Sequence, residues 1–302
     1  MAELTIGRRH VPLGNPGKAL FTDPTTTKSD LAGYYRTVAT VMLPHLRERP
    51  LALQRFPDGI GSAGFFQKRR PDNAPDWVPG ARVPREGEGD TVEMICCPDE
   101  ATLVYLADQA VVTVHPWLSR ADRPRHPVRL VVDLDPPGDD FDTVRFAALA
   151  LRDLLGELGL PAYPMTTGSR GMHVMVPLVG RQDVDEVRRF ARGVADVLAA
   201  RHPDRLTTEM RKDRRGGRLL LDVMRNAYAL HAVAPYAPRP LPGAPVATPL
   251  DWDEVDDADL TARRYTVRSV PGRIDRVGDP WGRVDRHARI LSTAARRLRS
   301  WR

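Results

Sequence analysis

Two carboxylates separated by one residue close an apolar run in VVDLDPPGDD, where Asp133 and Asp135 follow Val131 and Val132. A strand alternates its side chains between faces, so this pair projects to the same side. Side by side the two repel, and each raises the other's pKa unless a cation neutralises them. Pro136 and Pro137 stop the strand and leave the pair at the rim of a sheet. Hard oxygen donors so arranged suit Mg²⁺ or Mn²⁺ held together with substrate phosphates. A solvated strand end would carry the same residues, and a bare D-x-D does not choose between the readings. A third carboxylate weighs toward chemistry. Asp222 follows Leu219, Leu220 and Leu221 in RLLLDVMRN, and a carboxylate inside an apolar strand is costly unless something pairs with it. Arg225 could be that partner. Alternatively, three carboxylates from two strands are what two-metal phosphoryl transfer needs: one ion activates a 3′ hydroxyl, the other holds a triphosphate and its leaving group.

A second constellation is MTTGSRGMHVMVPL. Thr166, Thr167 and Ser169 offer hydroxyls, Gly168 and Gly171 allow the backbone close to an anion, Arg170 adds positive charge, and His173 enters a strand. This is a phosphate cradle or an ordinary glycine turn, and neither a Walker A loop nor a dinucleotide fingerprint. His115 ends a strand before the loop leading to the Asp pair, a position more often structural than functional. Phe65 and Phe66 in GFFQKRR face opposite ways on a strand, one toward the core and one free to stack on a base. Arg211, Lys212, Arg214, Arg215 and Arg218 crowd the approach to Asp222, as a basic loop for triphosphate or template backbone or as a solvated hairpin.

The elements that must position these residues follow from periodicity. A capped amphipathic helix is expected over 29–46, a short helix over 99–109, a long one over 141–158 and another helix over 183–200. Strands are expected at 51–56, from Phe65, at 92–97, 111–114, 129–134, 173–178 and 218–223. The proline-rich stretches 71–84, 235–249 and 271–280 read as loops, and 80–90 as the best candidate for a mobile one. The C-terminal RHARILSTAARRLRSWR reads as a basic amphipathic helix. The alternation gives an α+β (α/β-like) fold with a central sheet, organised as an N-terminal arm (1–28) and a single catalytic unit (29–302). The 302 residues carry a net charge of +6, mostly as arginine, since the lysines are Lys18, Lys28, Lys68 and Lys212. That balance admits a polyanion partner or merely a solvated surface. No apolar run spans a bilayer and no signal peptide opens the chain, so a cytoplasmic protein is expected. Adjacent Cys96 and Cys97 read as reduced residues of a buried strand, because metal sites need ligands spread more widely.

Taken together, the segments resemble the polymerase domain of bacterial DNA ligase D, an archaeo-eukaryotic primase-type polymerase of non-homologous end joining. The pieces run in the same order from about Gly14 to Asp279: TTTKSDLAGYYRTVATVMLPHL, RFPDGIGSAGFFQKRRPDNAPDWV, DEATLVYLADQA, VVTVHPW, VVDLDPP, TTGSRGMHVMVPL, LLLDVMRN and HAVAPYAPRPLPGAPVATPLDWDEV. The resemblance implies a primase-type domain with mixed or antiparallel central sheets flanked by helices. It implies that Asp133, Asp135 and Asp222 are the catalytic, metal-binding carboxylates for two Mn²⁺ or Mg²⁺ ions. A nucleoside triphosphate would be held by the Thr167–Ser169–Arg170–His173 segment and His115, with Phe66 stacking at the base pair. Arg55, Arg215 and Arg239 match active-site basic residues, and Arg225 borders the same nucleotide site. Lys18 and Lys28 match lysines that grip a downstream 5′-phosphate. Ribonucleotide preference and Mn²⁺ stimulation come with the resemblance, as do DNA ends, gapped or overhanging duplexes, Ku and ligase in trans, and a place at the nucleoid.

The chain departs from the family pattern at four points. Arg170 stands where a lysine is usual, and a planar fork replaces a point charge. Gln54 stands where a lysine is common, and VMRN replaces WSQN, putting Arg225 where a glutamine is expected. No ligase or nuclease segment follows, which points to a stand-alone form. Two other readings stay open: a D-x-D glycosyltransferase, which leaves Asp222 and the N-terminal lysines without a role, and a non-catalytic DNA-end bridging module.

Overall fold

A computed structural model of the chain describes residues 2–85, 87 and 89–301. Its contacts gather into two compact units: Met1–Trp117 with Val233–Thr248 and Tyr265–Asp279, and Leu118–Ala232 with Pro249–Arg264 and Pro280–Arg302. Helices and mixed sheets together make an α+β fold, as the alternation of patterns implies.

The first unit opens with two hairpins, β1 (Ala2–Ile6) with β2 (Arg9–Leu13) and β3 (Ala19–Thr22) with β4 (Thr25–Thr27). Helix α1 (Lys28–Leu46) follows. Its cap is Thr27 rather than Ser29: the Thr27 hydroxyl accepts from the Asp30 N–H, and the Asp30 carboxylate accepts from the Thr27 N–H, a reciprocal capping box. The stripe Leu31, Tyr35, Val38 and Met42 is fully buried, and the Tyr35 hydroxyl reaches the carbonyls of Val111 and Val112. A three-stranded antiparallel sheet places β5 (Leu51–Arg55) between β6 (Phe65–Gln67) and the strand Val111–Pro116. The loop expected over 80–90 begins later, since its first five residues are β7 (Gly80–Pro84), which pairs with β8 (Thr91–Ile95); Glu86 and Glu88 lie outside the described residues. The β8 strand ends before the cysteines. Cys97 is buried, Cys96 half-buried, and both are free thiols. Helix α2 (Glu100–Asp108) starts at the Asp99 cap, whose carboxylate accepts from the Thr102 N–H, and leads into β9 (Val111–Pro116). The stretch 271–280 is no loop: Val270–Val277 is a helix, with Pro271 in its first turn, where a missing N–H costs nothing.

The second unit is built on β10 (Arg129–Asp135), α3 (Phe141–Glu157), β11 (Tyr163–Thr166), β12 (Met172–Pro177), α4 (Val184–Arg201), β13 (Leu206–Thr207) and β14 (Leu219–Asp222). The strands lie in the order β13, β14, β10, β12, β11, antiparallel except for the β13–β14 pair. Helices α3 and α4 pack on this sheet through Val144, Leu151 and Leu155, and through Val187, Ala191 and Val194, all at most 1 % exposed. Burying each large side chain contributes about 2 kcal/mol, which anchors the sheet that carries the carboxylates. The C-terminal basic helix is shorter than its pattern, Ser292–Arg299.

Candidate active site

Register brings the carboxylates together. Asp133 on β10 stands directly opposite Asp222 on β14 and, on its other side, opposite His173 on β12. Residues directly opposite one another share a face of the sheet, with Cβ atoms about 5 Å apart. Asp222, Asp133 and His173 thus form a row across three strands, and Asp135 joins the same face two residues along β10. Their strand neighbours Val132, Leu134 and Leu221 point to the opposite, buried face. The row survives because the leucines and valines between its members hold the strands in this register.

Two carboxylates about 5 Å apart repel by roughly 3 kcal/mol at an effective dielectric of 20. Nitrogen-bearing side chains stand against the carboxylates. Arg225 Nε lies 3.8 Å and His173 Nε2 3.6 Å from Asp133 Oδ2. Asp135 is held from both sides, by Arg170 at 3.3 Å and by Arg215 at 3.1 Å. The guanidinium of Arg215 is buried and also donates to the carbonyls of Glu209 and Met210, so its position is fixed. Of the basic run 211–218, Arg215 is the member that reaches these carboxylates, and it reaches Asp135 rather than Asp222. Arg211 turns to Asp213, and Arg218 donates to backbone carbonyls of its own loop. The partner anticipated for Asp222 is also elsewhere: Arg225 sits beside Asp133, and Asp222 Oδ1 accepts from the Met224 N–H at 2.7 Å.

The loop after β11 folds around one hydroxyl. Thr167 Oγ1 donates to the Gly171 carbonyl at 3.0 Å and accepts from the N–H groups of Ser169 and Gly171 at 3.3 Å. Gly168 has φ +65°, and a Cβ on Gly171 would lie 1.9 Å from the Leu134 carbonyl oxygen. Glycine is therefore required where this loop passes the strand bearing the Asp pair. Ser169 is half-buried, Arg170 exposed.

The remaining anticipated residues belong to the first unit. His115 is buried in β9, its ring centroid 5.4 Å from that of Phe66. Phe65 and Phe66 are both about half exposed, contrary to the expected division into one core and one surface ring. The reason is that β6 is a three-residue edge strand, with Arg55 rather than core over the Phe65 ring at 5.5 Å. Arg55 also donates to the Gln109 carbonyl and to Gln67 Oε1, and its partial burial lowers its pKa. Arg239 lies half-buried in the segment 235–245, where its N–H donates to the Pro245 carbonyl. Lys18 and Lys28 are joined through their backbones, the Lys28 N–H donating to the Lys18 carbonyl at 2.9 Å. Their ammonium groups differ: Lys18 pairs with exposed Asp58, whereas Lys28 is buried against Asp108 at 3.2 Å.

Two residues escaped the reading of the sequence. Asn226 is 1 % exposed and binds Val131 of β10 through both ends of its amide. Arg263 donates from Nε to the Ser169 carbonyl at 2.8 Å. The asparagine directly after Arg225 was a visible signal for the first; nothing in the pattern marked the second.

The family model for the LigD primase-polymerase domain matches residues 27–281. The chain is 36% identical over 308 residues to the multifunctional non-homologous end joining DNA repair protein LigD of Mycobacterium tuberculosis, covering 98% of this chain and 40% of that protein. It is 33% identical over 267 residues to the bifunctional LigD of Bacillus subtilis, covering 87% and 42%. Among solved structures, the polymerase domain from Mycobacterium tuberculosis ligase D in complex with DNA superposes with a TM-score of 0.85 at 34% identity, covering 92% of this chain and 99% of that one. The chain belongs to the LigD primase-polymerase domain family, and it spans about two fifths of the length of these curated relatives. No helix among the described residues is long and apolar enough to cross a membrane.

Proposed function

We propose that this chain is a DNA-directed nucleotidyltransferase that adds nucleotides to DNA ends and gaps during non-homologous end joining. The observation that carries the reading is the facing pair Asp133 and Asp222, with Asp135 on the same face and a hydroxyl-rich, glycine-dependent loop after the neighbouring strand. Relatives named for end joining and a fold neighbour described in complex with DNA support the same direction.

Two divalent ions, Mn²⁺ or Mg²⁺, belong to this reading, with Asp133, Asp135 and Asp222 as their oxygen donors. Among the described residues no three His, Cys, Asp or Glu side chains form a preformed metal cage. Small hard cations bind through one or two carboxylates together with substrate phosphates rather than in all-protein cages. When bound, such ions supply charge neutralisation at the 3′ oxygen and at the departing pyrophosphate. The chain's own residues do the rest. Arg170 and Arg215 bring guanidinium groups to the triphosphate side of Asp135, and Thr167 shapes the loop that presents Ser169 to it. His173 holds Asp133 in place. His115, Arg55 and Arg239 contribute to nucleotide binding, Phe66 offers a stacking face for a base, and Lys18 and Lys28 serve the 5′-phosphate. Ku and a ligase acting in trans fit as partners, and the cytoplasm, at the nucleoid, as the place of work.

The test is primer extension on a gapped duplex with a 5′-phosphate, with Mn²⁺ and either ribo- or deoxynucleotides. Extension by the wild type, lost in Asp133→Ala while DNA binding persists, is the expected result. DNA binding without extension by the wild type would instead favour the bridging module, and hydrolysis of a nucleotide sugar the glycosyltransferase.

A further inference from the structure

Within the second unit, α4 and the C-terminal helix Ser292–Arg299 enclose a groove of about 480 Å³ that none of the roles above uses. Its floor is apolar: Phe190, Leu291 and Leu298 are each no more than 5 % exposed, and Ala295 lies between the last two. Its rim is cationic. Arg189, Arg296 and Arg299 line it against a single carboxylate, Glu186. Among the described residues Arg189 and Arg299 form no ion pair, and the guanidinium of Arg296 reaches only Thr293 Oγ1, at 3.3 Å.

An apolar floor under uncommitted guanidiniums selects its occupant. Duplex DNA contacts proteins mainly through charged phosphates and hydrogen-bonding edges, so it would cover the floor without gaining from it. A second copy could offer the acidic stretch 251–259, but only Trp252–Val255 of it is helical, a single turn whose Val255 is already buried in its own chain. An amphipathic acidic helix satisfies both parts at once, its apolar side chains on the floor and its carboxylates on the rim. We propose that this groove docks an acidic helical segment of another protein, with an apolar residue seated over Phe190 and Ala295 and acids on Arg189, Arg296 and Arg299. It is an interaction surface separate from the row of carboxylates.

The probe is a fluorescein-labelled peptide of about 14 residues with leucine at i, i+3 and i+7 and glutamate elsewhere. A control peptide carries lysine in place of glutamate. Anisotropy with the full chain should show saturable binding of the acidic peptide and none of the control. Arg189→Glu with Arg296→Glu should weaken binding about tenfold or more and flatten its salt dependence. Ala295→Trp, which fills the floor, should abolish it. Should that substitution disturb the helix by circular dichroism, Ser292→Trp at the exposed lip replaces it. The proposal fails if the acidic peptide does not bind up to millimolar concentration, or binds the Trp variants as well as the wild type. It also fails if the Arg variants lose salt-sensitive self-association in sedimentation, or lose DNA binding while keeping the peptide.

Discussion

The side-chain amide of Asn226 imitates a strand: its oxygen accepts from the Val131 N–H at 2.9 Å, and its nitrogen donates to the Val131 carbonyl at 2.7 Å. The same nitrogen donates to the Val223 carbonyl at 2.9 Å. The short turn after β14 is thereby stitched to β10, and Asp222 is held opposite Asp133. Asn226→Ala removes these bonds and leaves two buried backbone groups of Val131 without partners, at a cost of about 3 kcal/mol. Thermal unfolding should report that loss. Asn226→Asp keeps the acceptor but turns a buried carboxylate oxygen toward the Val131 and Val223 carbonyls and should cost at least as much as the alanine.

Gly171→Ala should be more damaging than its single methyl implies. The added Cβ would meet the Leu134 carbonyl oxygen at 1.9 Å, a backbone atom that no rotamer change can move. Relief requires the loop and β10 to part, an overpacking cost of about 3 kcal/mol. A lower thermal midpoint together with weakened nucleotide binding is expected, whereas Gly138→Ala, with nothing within 4 Å, should leave both unchanged.

The two N-terminal lysines should separate in experiment. Lys18, in contact with exposed Asp58, is free to exchange its partner for phosphate, so Lys18→Ala should reduce the slope of log affinity against log salt by about 1 with little effect on stability. Among the described residues, Lys28→Ala leaves the half-buried carboxylate of Asp108 with the Gly14 N–H and the Gln109 amide as its partners. It should lower stability by about 2 kcal/mol, read from denaturant unfolding, before any effect on DNA is seen. Equal salt slopes and equal stabilities for the two variants would contradict this division.

Burial pushes the Cys96 thiol up to about 11. A higher pKa means less thiolate, so at pH 8 on the order of one part in a thousand is ionised, against roughly a quarter for an ordinary cysteine. Iodoacetamide should therefore label Cys96 slowly at pH 8 and progressively faster through pH 10, and rapid labelling at pH 8 would contradict the burial.

Much of this site was legible because strand alternation is a local rule. Asp133 and Asp135 share a face from spacing alone, and the leucine run placed Asp222 at the end of a buried strand. Which strand would neighbour which was not legible from spacing. Antiparallel pairing sets His173 and Asp222 on either side of Asp133 across separations of 40 and 89 residues, and periodicity within a segment carries no information about its partner. For the same reason Arg225 was assigned to the nearer carboxylate in sequence, although the turn after β14 carries it to Asp133. Helix 270–277 was missed because Pro271 read as a breaker, whereas its place in the first turn makes it compatible with a helix. Both phenylalanines lie exposed because β6 is short and at an edge, a fact of topology that alternation cannot supply.

The row Asp222, Asp133, His173 uses the hydrogen-bond ladder as its ruler. Sliding any one of its strands by a single residue would send that member to the far side of the sheet, and no side-chain adjustment could bring it back. Evolution can lengthen the connections between these strands freely. Inserting or deleting one residue within β10, β12 or β14 would instead dismantle the whole set at a stroke.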